Sequence, residues 1–117
     1  MTMILHITSL EQWEKAKSIG IYRGDTLDSQ GYIHCSTARQ IIKVADALYP
    51  NQKGLALLCI EAEKVKAKIL YEGYGAEESY PHIYGPLNID AVVKAVRFEP
   101  NADGKFRLPK SVADFGE

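Results

Sequence analysis

Six consecutive apolar residues, Leu55-Ala56-Leu57-Leu58-Cys59-Ile60, constrain this chain more than any other stretch. The run lies between Gly54 and Glu61, and its length suits a strand better than a helix. Side chains of a strand alternate between two faces, so an unbroken apolar run needs cover on both. It is read as a central strand, with the remaining elements packed around it.

The flanking segments supply that cover. Met3 to Ile7 is short, apolar and bounded by Thr8-Ser9, which suits a first strand. Ser9 with Gln12 forms a capping box, and Leu10, Trp13 and Ala16 then share one helical face before Gly20 stops the helix. Ile21 to Gln30 carries Gly24, Asp25, Asp28 and Ser29 without periodicity and is read as an irregular polar loop. Gly31 to Cys35 reads as a second strand. Ser36 or Thr37 is expected to cap a second helix, with Ile41, Ala45 and Leu48 as its buried stripe.

Beyond the central run, Glu61 to Lys68 reads as a solvated turn or short helix, and Ile69 to Glu72 as a short strand. Gly73 to Ser79 is the most loop-like segment. Val92 to Phe98 is rich in β-branched residues and reads as a strong strand. Asp103-Gly104 is a hairpin signal, expected to return through Lys105 to Leu108. Helices early and strands late predict an α+β fold. The expected form is a single domain over residues 1–117, a bent or split antiparallel-rich sheet with two helices packed on it.

Composition narrows the function classes. A chain of 117 residues with 46% hydrophobic content can bury a core without disulfide staples. Its net charge of −1 and lack of a Lys/Arg stripe argue against duplex nucleic acid as a partner. No apolar run approaches the roughly 20 residues of a membrane span. The N-terminus lacks a signal-peptide pattern. Cys35 and Cys59 sit inside apolar runs and read as buried thiols in a reducing compartment. A cytoplasmic location is expected; the oligomeric state is left open.

The chemistry concentrates in the three histidines. They stand in Ile4-Leu5-His6-Ile7-Thr8, in Gly31-Tyr32-Ile33-His34-Cys35-Ser36-Thr37 and in Tyr80-Pro81-His82-Ile83-Tyr84-Gly85-Pro86-Leu87. In extended segments Tyr32, His34 and Ser36 share one face, as do Tyr80, His82 and Tyr84, and as do Ile4, His6 and Thr8. The expected site is one polar pocket with His34, His82 and Tyr84 as catalytic groups. His6, Tyr32, Ser36, Thr37, Arg39 and Glu72 are expected to bind the ligand. Thr37 and Arg39 enter because a helix starting there would offer free N–H groups and a guanidinium to an anion. A plain cap with a solvated arginine is the alternative, and for His6 a core imidazole bonded to a backbone carbonyl is as good a reading. Adjacent strand residues diverge, so His34 is not expected to activate Cys35 as a nucleophile. No histidine has a second at ligand spacing, so no metal is assigned.

The two longer histidine motifs resemble the family catalogued as domain of unknown function 952. The family pattern carries Phe where Tyr32 and Tyr80 stand here, and Tyr-His where this chain has Leu5-His6. Gln40 and Tyr71-Glu72 match further positions. The resemblance implies a fold similar to that of ADP-ribosyltransferases and RNA 2′-phosphotransferases. It also implies a site for NAD, ADP-ribose or another small phosphorylated ligand. Those transferases end their triad with a glutamate, none stands between Pro81 and Pro86, and Glu72 is the nearest candidate. Three functions follow: a transferase of that class, a non-catalytic binding module lacking the glutamate, or a metal-dependent hydrolase.

Overall fold

The computed structural model describes residues 1–73 and 78–113. Among them the chain runs β1 (Met3–Ser9), α1 (Leu10–Ile19), β2 (Ile21–Tyr22), α2 (Leu27–Gln30), β3 (Ile33–His34) and α3 (Ile41–Leu48). It continues through β4 (Leu55–Glu61), β5 (Lys68–Glu72), β6 (Tyr80–Tyr84), β7 (Leu87–Asn88), β8 (Val92–Phe98) and α4 (Lys110–Ala113). Short 3-10 turns at Ala62–Lys64 and Ile89–Ala91 precede β5 and β8. The fold is α+β, with antiparallel sheets and four helices where two were expected. The additional two, α2 and α4, are single turns of four residues each.

The sheet is split. One ladder has the order β1-β4-β8, a second β3-β6-β5, and a two-stranded ribbon joins β2 to β7. As its apolar run requires, β4 is central and its first six residues are buried. Ala56, Leu58 and Ile60 enter one core cluster with Ile4, Trp13, Tyr22, Ile33 and Ile83. Leu55, Leu57 and Cys59 enter another with Leu5, Ile41, Ala45, Phe98 and Phe106. The two-residue period of the strand thus supplies both sides of the domain.

The ends of α1 are set as its sequence requires. The Ser9 hydroxyl accepts from the Gln12 N–H at 3.0 Å, and Gly20 closes the helix in the left-handed region at φ 100°. Trp13 and Ala16 are buried, with Leu10 packed beside them.

Four local expectations are corrected. The stretch read as a polar loop contains β2 and α2, held by pairings with Leu87 and Asn88 that are remote in sequence. Only Ile33–His34 of the second expected strand is laddered. Helix α3 starts at Ile41, and Leu48 is 68% exposed instead of completing the buried stripe. Asp103-Gly104 makes a turn closed by Asn101 N–H to the Lys105 carbonyl, but no strand returns. Instead the Phe106 N–H donates to the Asp46 carboxylate at 2.8 Å, and Phe106 stacks on Phe98 with centroids 4.7 Å apart. Burying a phenyl ring this way contributes about 1.5–3 kcal/mol, more than a few strand hydrogen bonds would add. The loop expected from Gly73 to Ser79 lies, for residues 74–77, outside the described residues.

Candidate active site

The two larger ladders meet where β1 approaches the end of β3. Leu5 and Ser36 exchange both backbone hydrogen bonds, at 2.7 and 2.8 Å. Beside this bridge the His6 ring donates from Nδ1 to the His34 carbonyl at 2.5 Å. A carbonyl only accepts, so Nδ1 carries the proton. In the neutral ring Nε2 then accepts from the Tyr22 hydroxyl, at 2.6 Å. Burial pulls the His6 imidazole down from 6.5 to about 4, against the opposing pull of the carbonyl bond. His6 is therefore a neutral, doubly bonded post that ties β1, β2 and β3 together. Both readings of His6 meet here: it is bonded to a backbone carbonyl, and it also lines the cleft.

The second ladder carries the open chemistry. Ile33, Ile83 and Ile69 are paired across β3, β6 and β5, and all three pack on the first core cluster. Their neighbours His34 and His82 are paired in the next row and face the other way. The Tyr32 ring stacks on His82 with centroids 4.1 Å apart and an interplanar angle of 18°. It also meets His34 at 4.8 Å and Tyr84 at 5.1 Å.

Glu72 completes the cluster. Its Oε1 accepts from His82 Nδ1 at 2.8 Å and from the Tyr84 hydroxyl at 2.5 Å. These two bonds, Tyr84 first, hold its carboxyl below the usual carboxylate range. When neutral, His82 thus keeps its proton toward Glu72 and presents Nε2 as an acceptor. His34 is oriented differently, donating from Nε2 to the Gln30 side-chain oxygen at 2.8 Å. Burial, and then the neighbouring His82, lower its basicity.

A cavity of about 440 Å³ has a polar wall that includes His6, Tyr22, Asp25, His34, Glu72 and His82, whereas Tyr32 and Tyr84 touch this cluster without lining the cavity. Ile41, Val44 and Tyr49 form its apolar wall. Ser36 is buried and also lines it. Thr37 and Arg39 line a second cavity, of about 760 Å³, and not this one. Two of the N–H groups expected to be free there are in use, since Ser36 N–H bonds to the Leu5 carbonyl and Thr37 N–H to the Gln40 side chain, and the helix itself starts only at Ile41. Cys35 packs in the first core cluster, and burial pushes its thiol up, out of nucleophile range. Both cysteines are free and buried.

Tyr22, Asp25 and Gln30 are site residues that the sequence did not reveal. All three fall in the stretch without periodicity. The one usable signal is Tyr22 itself, an isolated aromatic two residues after the Gly20 cap. Among the described residues no helix is long and apolar enough to cross a membrane. Nor is any group of three or more His, Cys, Asp or Glu side chains arranged to hold a metal.

The split α+β domain defines a class of small protein whose fold others share. This chain belongs to the family described as Protein of unknown function (DUF952), whose model matches residues 7–95. It is similar to protein CC0527 from Caulobacter crescentus, a structural-genomics target. The crystal structure of that protein superimposes with a TM-score of 0.86 at 31% identity, covering 96% of this chain and 99% of the other. The solution structure of the same protein gives a TM-score of 0.81 at 32% identity, covering 97% and 98%. No curated protein matches the chain.

Proposed function

We propose that the cleft is the active site of an ADP-ribosyltransferase-like enzyme taking the ribosyl end of NAD or a related nucleotide. The observation that carries this reading is the placement of Glu72, whose carboxylate is shared by His82 and Tyr84. The acid absent from the Pro81 to Pro86 stretch is supplied from the neighbouring strand β5. Breaking the bond between ribose C1 and nicotinamide sends the electron pair to nicotinamide and leaves positive charge on the ribose. An ionised carboxylate at that point stabilises the charge as it develops. The acceptor nucleophile then bonds to C1, and its proton passes to the free nitrogen of His82. Tyr84 keeps Glu72 in place, and Tyr32 stacked on His82 fixes the imidazole plane.

Isothermal titration with NAD, ADP-ribose and phosphorylated nucleotides tests the ligand class. Binding by the native protein, lost in His82→Ala with an unchanged circular dichroism spectrum, supports it. No heat with any of them overturns it.

One observation favours a second reading, a binding module without turnover. Both nitrogens of His6, and Oε1 of Glu72, are already committed to protein partners. Binding without nicotinamide release over many hours would select that reading.

A further inference from the structure

We infer that this cavity selects small organic cations, nitrogen heterocycles of the pyridinium type, and disfavours anions. The inference rests on the cleft being the ligand site but adds a charge class that the fold does not imply. Two carboxylates, Asp25 and Glu72, stand on its wall. Among the described residues lining it there is neither lysine nor arginine. The His6 imidazole is neutral in its bonding, because it donates from one nitrogen and accepts at the other.

The remaining polar lining joins Thr26, Gln30, Ser36, His34 and His82 to three tyrosines. Tyr22, Tyr49 and Tyr80 border the same space. Ring faces attract cations, most where water is excluded, and carboxylates add to that attraction. A phosphate placed there would meet two like charges and no lysine or arginine. For an NAD-like ligand, the positively charged pyridinium ring and its ribose therefore enter the cavity, and the pyrophosphate stays outside it. Arg39 lines the other cavity instead.

The test is a charge series on one ring. 1-Methylnicotinamide is positive, nicotinamide neutral and nicotinate negative, at nearly constant size. Titration of the full chain at neutral pH is expected to rank them in that order. Each step should be about tenfold, the scale of one cation–aromatic contact. Asp25→Asn and Glu72→Gln, each checked for folding by circular dichroism, should compress the series to within about threefold, since each removes one carboxylate. Equal affinities, a preference for nicotinate, or a series unchanged in both variants would overturn the inference. If NAD binds while none of the three fragments does, the charge selection fails and the ligand reading stands. If neither NAD nor any fragment binds, both fail.

Discussion

His34 and His82 stand directly opposite each other on β3 and β6, with ring centroids 5.2 Å apart and planes at 70°. Each has a different polar partner: Gln30 for His34, Glu72 for His82. One imidazole beside a neutral amide and another beside a carboxylate cannot behave alike. Burial first, and then the neighbouring His82, lower the basicity of His34. The difference in partners distinguishes the two imidazoles of the pair.

Glu72→Gln keeps the shape of the side chain and removes its charge. In a nicotinamide-release assay the variant should lose about a hundredfold or more in kcat, the usual effect of deleting a transition-state partner, with a smaller change in KM. Tyr84→Phe leaves the carboxylate held by His82 alone, and should cost about tenfold. Native turnover in Glu72→Gln would remove Glu72 from the chemistry.

His6→Ala should act on stability before function. It removes the His6 bonds to the Tyr22 hydroxyl and the His34 carbonyl and opens a hole between β1 and β3. Lost packing and lost hydrogen bonds together cost about 2–4 kcal/mol. In thermal melts that corresponds to a Tm lower by on the order of 10 °C. A Tm within about 2 °C of the native protein would mean that His6 is not a structural post.

The same residue makes stability depend on pH. In the unfolded chain His6 takes a proton near 6.5, whereas in the folded protein it resists until about 4. Between those values the unfolded state binds more protons, so stability is full above 6.5 and falls as pH falls toward 4. The slope contributed is at most about 1.4 kcal/mol per pH unit. His34, also lowered, acts in the same direction. The Glu72 carboxyl, lowered as well, contributes stability that is lost only at lower pH. Urea titrations at steps from pH 7.5 to 4.5 should show the decline, and His6→Gln should flatten it. An unchanged slope in His6→Gln would assign the decline elsewhere.

Much of the architecture could be read from local pattern because local physics decides it. The unbroken Leu55–Ile60 run puts β4 at the centre, and Ser9, Gln12 and Gly20 fix α1 within one residue. Alternation likewise places Tyr32 with His34, and Tyr80 with His82 and Tyr84, on one side of each segment. What alternation cannot give is register, so the direct pairing of His34 with His82, and the reach of Glu72 to both His82 and Tyr84, emerge only in the fold. Tyr22 was hidden for the same reason, since β2 exists only through its pairing with β7. Thr37 and Arg39 point the opposite lesson. A capping pattern predicted free N–H groups, but those of Ser36 and Thr37 bond to Leu5 and Gln40, and the helix starts only at Ile41.

Gly85→Ala offers a test of how the Tyr84-Gly85-Pro86 turn supports the site. Gly85 has φ +153°, and an added Cβ would lie 2.9 Å from the Cβ of Ala67, with no flexible side chain to yield. The turn must therefore shift, at a cost of about 1–3 kcal/mol. Tyr84 is the adjacent residue, and its hydroxyl must reach Glu72 across the sheet face. A shift of the turn should break that bond and lower turnover by about the same tenfold as Tyr84→Phe. If Gly85 acts through Tyr84, the double variant is no slower than either single one. Additive losses would show that the turn supports the site by another route, through Pro86 or the first core cluster.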